Sequence, residues 1–323
     1  MFFSTAVILT FGFALSNWVA RAQDSIVVES MLTMPPHDFW SSYGENFSIA
    51  SQMVDNRSTS MFNRLEEHKN SPDKLDSLRK DLEKDARTIL DSIINLVKKW
   101  DSSNLRGSSV IYRANLMKVY YFGDSEDCIK PDSQIAKQLN VHGKRLTQQP
   151  FSSHYSGFVV LENNIYTTTT ETSSPTPDAD RKAIAFPFTN LVNDLEYPIY
   201  SNLLGAPKAI VSRSASYVPD VNNIIDDYEK NSTVVDKEIL EQLKEYYSDT
   251  SVAHSILSIP VRNSDTLKVS FVLNIYRNQN GLLFEGSKVK DFVEIIRPFI
   301  TTLARLLETG ELFDQLRSQH EQQ

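Results

Sequence analysis

The sequence predicts an α+β fold in which an antiparallel sheet is flanked by helices, and three stretches predict it. Ser71 to Trp100 carries apolar residues at helical spacing, and Val110 to Phe122 is dense in β-branched and aromatic residues. Val252 to Leu307 reads as two alternating strands feeding an amphipathic helix. The element order is helix, strands, helices, two strands, helix, preceded by an N-terminal hydrophobic helix and a helical hairpin.

Met1 to Ala20 contains no charged side chain, is about long enough to cross a hydrocarbon core as one helix, and is followed at once by Arg21. As a membrane anchor through residues 1–20 it leaves the rest of the chain facing the cytoplasm. As a secretory signal it ends at the small-x-small triplet Ala20-Arg21-Ala22, with export after cleavage near Ala22. A buried core helix is the third reading. The lack of any Lys or Arg in Met1-Phe2-Phe3-Ser4-Thr5 favours the anchor. Residues 23–72 then form a membrane-proximal helical segment. In it Met34-Pro35-Pro36 precedes an aromatic stripe, Phe39, Trp40, Tyr43 and Phe47, at helical spacing.

Residues 73–323 form the main domain. Ser71-Pro72-Asp73 is a helix start, with Pro72 at the first helical position. Leu75, Leu78, Leu82, Ala86, Ile89, Ile93, Leu96 and Trp100 then step by three or four, nearly a heptad seam. Such a seam packs inside its own chain or pairs with a second copy, and a homodimer is the expected assembly. Val110–Phe122 reads as a long strand. Phe158–Leu161 and Ile165–Thr170 read as a strand pair turning at Asn163-Asn164. Glu171–Asp180, with Pro175 and Pro177, reads as an exposed loop, Ala183–Phe188 as a short strand and Asp236–Tyr247 as an amphipathic helix.

In the last third, Leu257, Ile259 and Val261 alternate, Arg262–Thr266 supplies a turn, and Leu267, Val269, Phe271, Leu273 and Ile275 alternate again. Val289, Phe292, Val293, Ile296, Phe299, Ile300, Leu303 and Leu307 share one helical face, and Pro298 predicts a kink within it.

Composition excludes several functions. A net charge of −8, with no basic block longer than a pair, argues against a nucleic-acid binder. The single cysteine, Cys128, has no resolving partner, and the six histidines show no ligand spacing, so no metal site is expected. No phosphate-cradling glycine loop, G-x-S-x-G elbow, H-E-x-x-H or kinase signature occurs. No catalytic residue can be named, and no cofactor is implied.

Three pieces of this order resemble the GAF family of small-molecule sensor domains. One is the leading helix ending Ile93-Ile94-Asn95-Leu96-Val97, with the strand Val110–Met117 after it. Another is Gly205–Val211 running on to Tyr217-Val218-Pro219-Asp220-Val221. The last is Ser255–Val261 with Val272–Tyr276 and Phe284 before the final helix. The likeness covers roughly residues 73–307. It implies a GAF-like sheet with a ligand hollow between the sheet and Gly205–Val221, where Arg213, Tyr217, Asp220 and Asn274 are the candidate ligand-binding residues. Each has a plainer use: Arg213 in solvent, Tyr217 in the core, Asp220 as a cap near Asn222, Asn274 at a strand end. Phe271 stands where the family usually has a small residue, which predicts a narrowed hollow. The Asn-Lys-Phe-Asp-Glu set of cyclic-nucleotide binders is absent, since no Asp-Glu pair follows Phe284.

The expected function is a membrane-anchored signalling sensor. Its state, set by a small molecule or partner, passes through the flanking helices Asp73–Trp100 and Val289–Ser318 to a separate output protein. A dimerisation or scaffold module that binds no ligand is the competing expectation. An exported binding protein follows if the N-terminus is cleaved.

Overall fold

A computed structural model describes residues 35–53, 71–101, 110–122, 155–161, 166–171, 184–190, 202–231, 237–247 and 253–321, with 63 and 67. The Met1–Ala22 helix, Cys128 and the Pro175–Pro177 loop lie outside the described residues. Among the described residues no helix is long and apolar enough to cross a membrane.

Helix α1 spans His37–Met53 and α2 spans Pro72–Asp101. Pro72 opens α2 as its sequence predicts, and the Ser71 carbonyl accepts from the Lys74 and Leu75 amides. The apolar seam of α2, from Leu75 to Trp100, is buried within the chain, against α8 (Arg297–Glu321) and the sheet. Of the two uses open to that seam, the chain takes the internal one. The aromatic stripe of α1 is divided. Phe39 packs edge-on against Trp100 at 5.1 Å and Tyr43 against Phe299 at 5.6 Å, while Trp40 stays half exposed.

Among the described residues seven strands make one antiparallel sheet: β1 (Tyr112–Tyr121), β2 (Gly157–Leu161), β3 (Thr167–Thr169), β4 (Ile184–Phe188), β5 (Ser216–Val218), β6 (Ser255–Arg262) and β7 (Val269–Arg277). Their order is β4-β2-β1-β7-β6-β5, with β3 also on β1. The centre is the β1–β7 ladder, in register from Tyr112 opposite Arg277 to Lys118 opposite Phe271.

Two strand expectations are corrected. β2 and β3 do not form a hairpin with each other. Both run antiparallel to β1, β2 beside Lys118–Tyr121 and β3 beside Arg113–Asn115, as one strand interrupted between them. Alternation marks faces but carries no pairing partner, so two short strands with a turn-like spacer read as a hairpin either way. Leu267 also falls in the β6–β7 turn rather than in β7. The Asn263 side chain collects the Asp265 and Thr266 amides, which lengthens the turn to Lys268.

Helices α3 (Ala206–Ser212), α4 (Asn222–Asn231) and α5 (Lys237–Tyr246) lie on one face of the sheet. Helices α1, α2, α7 (Val289–Ile295) and α8 lie on the other. The closing helical run breaks at Ile296, just before Pro298, where the sequence predicts a kink. Side chains alternating off the strands therefore feed two separate cores: Ala114, Leu116, Leu273 and Ile275 toward α2 and α8, Met117, Val119 and Val272 toward α3–α5.

A four-residue turn, α6 (Leu282–Glu285), follows β7. Leu283, Phe284 and Glu285 all have φ between 51° and 58°, and Gly286 follows at 88°. This is a left-handed turn, each non-glycine residue costing about 1–2 kcal/mol. Gly286 is required there twice over: its φ favours glycine, and a Cβ would sit 2.4 Å from the Tyr217 ring.

Candidate functional site

A small hollow lies between the sheet and α3–α5, and Gly205, Ala206 and Pro207 are the part of the Gly205–Val221 segment that lines it. Its floor is built by register. Thr167, Asn115, Asn274, Ser258 and Ser216 are consecutive cross-strand partners on β3, β1, β7, β6 and β5, so they form one polar row across the sheet, and Asn115, Asn274 and Ser258 of that row line the hollow. All five are buried.

The three central members of the row are hydrogen-bonded in series. The Ser258 hydroxyl donates to Asn274 Oδ1 at 2.6 Å, and Asn274 Nδ2 donates to Asn115 Oδ1 at 2.8 Å. At the β5 end the Gly205 amide donates to the Ser216 hydroxyl at 3.2 Å. Asn274 thus spends one of two N–H donors and one of two acceptor lone pairs on its neighbours. The remaining valences, with those of Asn115, face a cavity that also touches Phe186, Leu243, Tyr246, Tyr247 and Tyr276.

Among the described residues no charged side chain lines this cavity, and its volume is about 50 Å³. That is room for roughly three or four waters. The chemistry it offers is neutral: amide and hydroxyl donors and acceptors below, aromatic faces around. It can orient an uncharged polar group but has no acid or base poised for proton transfer.

Of the four candidates, Asn274 alone lines this cavity. Arg213 is exposed and takes a left-handed backbone as the cap of α3, with φ 51°. Tyr217 points to the opposite face, against the α2–α8 core. Asp220 caps α4, its carboxylate accepting from the Asn222 amide at 3.0 Å. Phe271 is also on the opposite face, so it does not narrow the hollow, contrary to expectation. The narrowing comes from Tyr246 of α5, Tyr247 just after it and Tyr276 of β7.

A second cluster, unread in the sequence, lies behind the sheet. The carboxylate of Asp101, the last residue of α2, accepts from the Arg277 guanidinium at 2.8 Å, and both are almost fully buried. The Tyr112 hydroxyl donates to the same carboxylate oxygen at 3.2 Å, and the Leu283 amide donates to the other at 3.0 Å. Arg277 also donates to the Gln279 and Asn280 carbonyls. One carboxylate thus ties together α2, β1, β7 and the left-handed turn.

Burial pushes the Asp101 carboxyl up to about 6, against the pull of the neighbouring Arg277 charge and its hydrogen bonds. An acid at a helix C-terminus also faces the negative end of the macrodipole. The Tyr217 hydroxyl reaches the same region with no hydrogen-bond partner among the described residues, and burial raises its phenol to about 12.

Asn115, Ser258, Asp101 and Arg277 were all missed by sequence reasoning. The signal present was a polar residue at an inward position of an apolar strand, for Asn115 in β1 and Ser258 in β6. No protein-family model matches the chain, and neither does any curated protein sequence.

Proposed function

We propose that the chain is a GAF-like sensor, membrane-anchored through residues 1–20, that binds a small uncharged molecule over the polar row and signals through its long helices. The observation that carries this reading is the row itself. Five buried polar side chains at matching register are not what apolar packing alone selects, since each needs partners inside the protein.

Occupancy of the cavity bears on β7 through Asn274 and Tyr276. The next residue, Arg277, holds the end of α2 and the turn leading to α7 and α8. A guest that shifts β7 by a fraction of an ångström therefore acts on both bounding helices at one joint, and selects between their placements. The output passes to a separate protein, with a homodimer as the signalling unit.

Cavity size favours a second reading, a scaffold module that takes no ligand. Small-molecule sites span about 300–1,000 Å³, and this one is far smaller. On the sensor reading α5 swings outward to admit the guest, because its Leu243 and Tyr246, with Tyr247 just after it, form the roof.

Native mass spectrometry of the protein released from detergent tests the choice. A bound uncharged adduct that disappears in Asn274→Leu supports the sensor. An adduct retained by that variant, or no adduct and no thermal shift across an uncharged-metabolite panel even in Tyr246→Ala, whose roof is cut back, selects the scaffold.

A further inference from the structure

A trough of about 820 Å³ opens on the outer side of β6, between the α3–β5 connection and the packed pair α7–α8. It is separate from the cavity, on the face of the sheet that carries α7 and α8. β5 covers β6 only along Ile256–Ser258, so Ile259 to Arg262 present an open flank there.

The floor is apolar, from Ile259, Val293, Ile300 and Ala304. The rim is cationic. Arg213, Arg262, Lys290 and Arg305 line it with no ion pair among the described residues, and Arg297 is paired to Glu294, the one acid of the lining. In a chain of net charge −8 this concentration runs against the overall balance.

A second observation is independent of charge. Leu267, at the tip of the β6–β7 turn, reaches the same trough with 63% of its surface exposed and a φ of 55°. Leucine is poorly suited to that spot on both counts. Asparagine or glycine would relax the backbone and remove an exposed apolar side chain. Local strain and exposure of this kind persist where a binding surface uses them. The turn is also braced, since the Ser264 amide and hydroxyl both donate to the Glu308 carboxylate of α8. The wall that carries Leu267 is therefore preformed.

We propose that this trough docks an amphipathic helix of a separate protein, its apolar stripe on the Ile259–Ala304 floor and on Leu267, its acidic flanks against Arg213, Arg262, Lys290 and Arg305. The open-sided shape takes one face of a helix rather than enclosing a small molecule. Its concavity fits a helix better than a flat lipid surface. Opposite charge on the rim supplies orientation and association rate, and the apolar floor supplies most of the affinity.

The test uses a fluorescein-labelled peptide of about 18 residues, with leucines at i, i+3, i+4 and i+7 and glutamates on the flanks. Fluorescence anisotropy with the intact protein in detergent is compared with a peptide carrying lysines instead of glutamates. The glutamate peptide is expected to bind more tightly than the lysine peptide, and more weakly as salt rises. The exposed double variant K290E/R305E is expected to lose about tenfold in affinity, in line with two rim charges acting on the same partner. Leu267→Asn is expected to raise the melting temperature and yet weaken the peptide severalfold. A purely structural leucine would not show that opposed pair of effects. Equal binding of the two peptides, or unchanged affinity in Leu267→Asn, overturns the proposal. So does a preference for phosphatidylserine vesicles over the glutamate peptide, which would make the patch a membrane contact.

Discussion

The two faces of the sheet solve the same packing problem differently. Toward α2 and α8 the strands offer mostly apolar side chains, and the charged groups gather at the strand ends, where Asp101, Tyr112 and Arg277 meet. Toward α3–α5 the polar groups run across the middle, as the Thr167–Ser216 row. The first face is closed: charge there is neutralised by a partner, and the carboxylate has its hydrogen bonds filled from three elements. The second is left with neutral valences beside an empty space. The difference teaches which face can change state at low cost. A full charge stripped of its partner is expensive, whereas an amide ladder can trade one neutral partner for another.

The most damaging way to break this contrast is Asp101→Ala. It leaves the Arg277 guanidinium buried without its counter-ion, and chemical denaturation should show a loss of about 3–5 kcal/mol. Gly286→Ala comes next. It forces a Cβ against the Tyr217 ring on a left-handed backbone, and the same measurement should show about 2–3 kcal/mol lost.

On the cavity face Asn274→Leu orphans the Asn115 and Ser258 groups it joined and should cost about 1–3 kcal/mol. Replacing the whole ladder, as Asn115→Leu with Asn274→Leu and Ser258→Ala, should return the stability to within about 1 kcal/mol of the parent, because no buried partner is then left over. A triple variant less stable than the single one would mean the row is structural rather than kept for a guest.

A pH series sharpens the closed face. The Asp101 carboxyl is raised by burial to about 6 in the fold, against 3.8 in the open chain. The native state therefore holds an extra proton between those values. The stabilisation from that site is complete below about 3.8 and is lost as the pH rises through about 6. Asp101→Asn removes this titration, so its stability relative to the parent should be least favourable near pH 4 and improve toward neutrality. A pH-independent difference would show that the carboxyl does not titrate in this range.

Much of the frame could be read along the chain. The α2 seam, the β6–β7 alternation and the Pro298 break are local signals, and each is found where its residues place it. The polar row was hidden for a physical reason. Its members stand at 115, 167, 216, 258 and 274, brought into line only by register, and register is set by pairing partners rather than by local pattern. Asp101 and Arg277 are hidden in the same way, 176 positions apart. Leu267 misled by fitting the alternation of the strand that follows it, while Asn263 with its capping side chain kept the turn open for one more step. The masking of Tyr217 was similar: on a three-residue strand, a shift of one position decides which face a side chain meets.

The turn from Leu283 to Gly286 is wound in the sense that D-amino acids prefer. A semisynthetic protein carrying D-glutamate at position 285 should sit there without the steric penalty paid by the natural isomer, and so should melt later than the all-L chain. Ribosomal synthesis has no such option. The chain instead holds the wrong-handed loop in place with a carboxylate from α2 and a hydroxyl from β6, on Leu283 and Leu282 respectively. Chirality at this joint is thus imposed by neighbours, and whatever loosens those neighbours releases the joint as well.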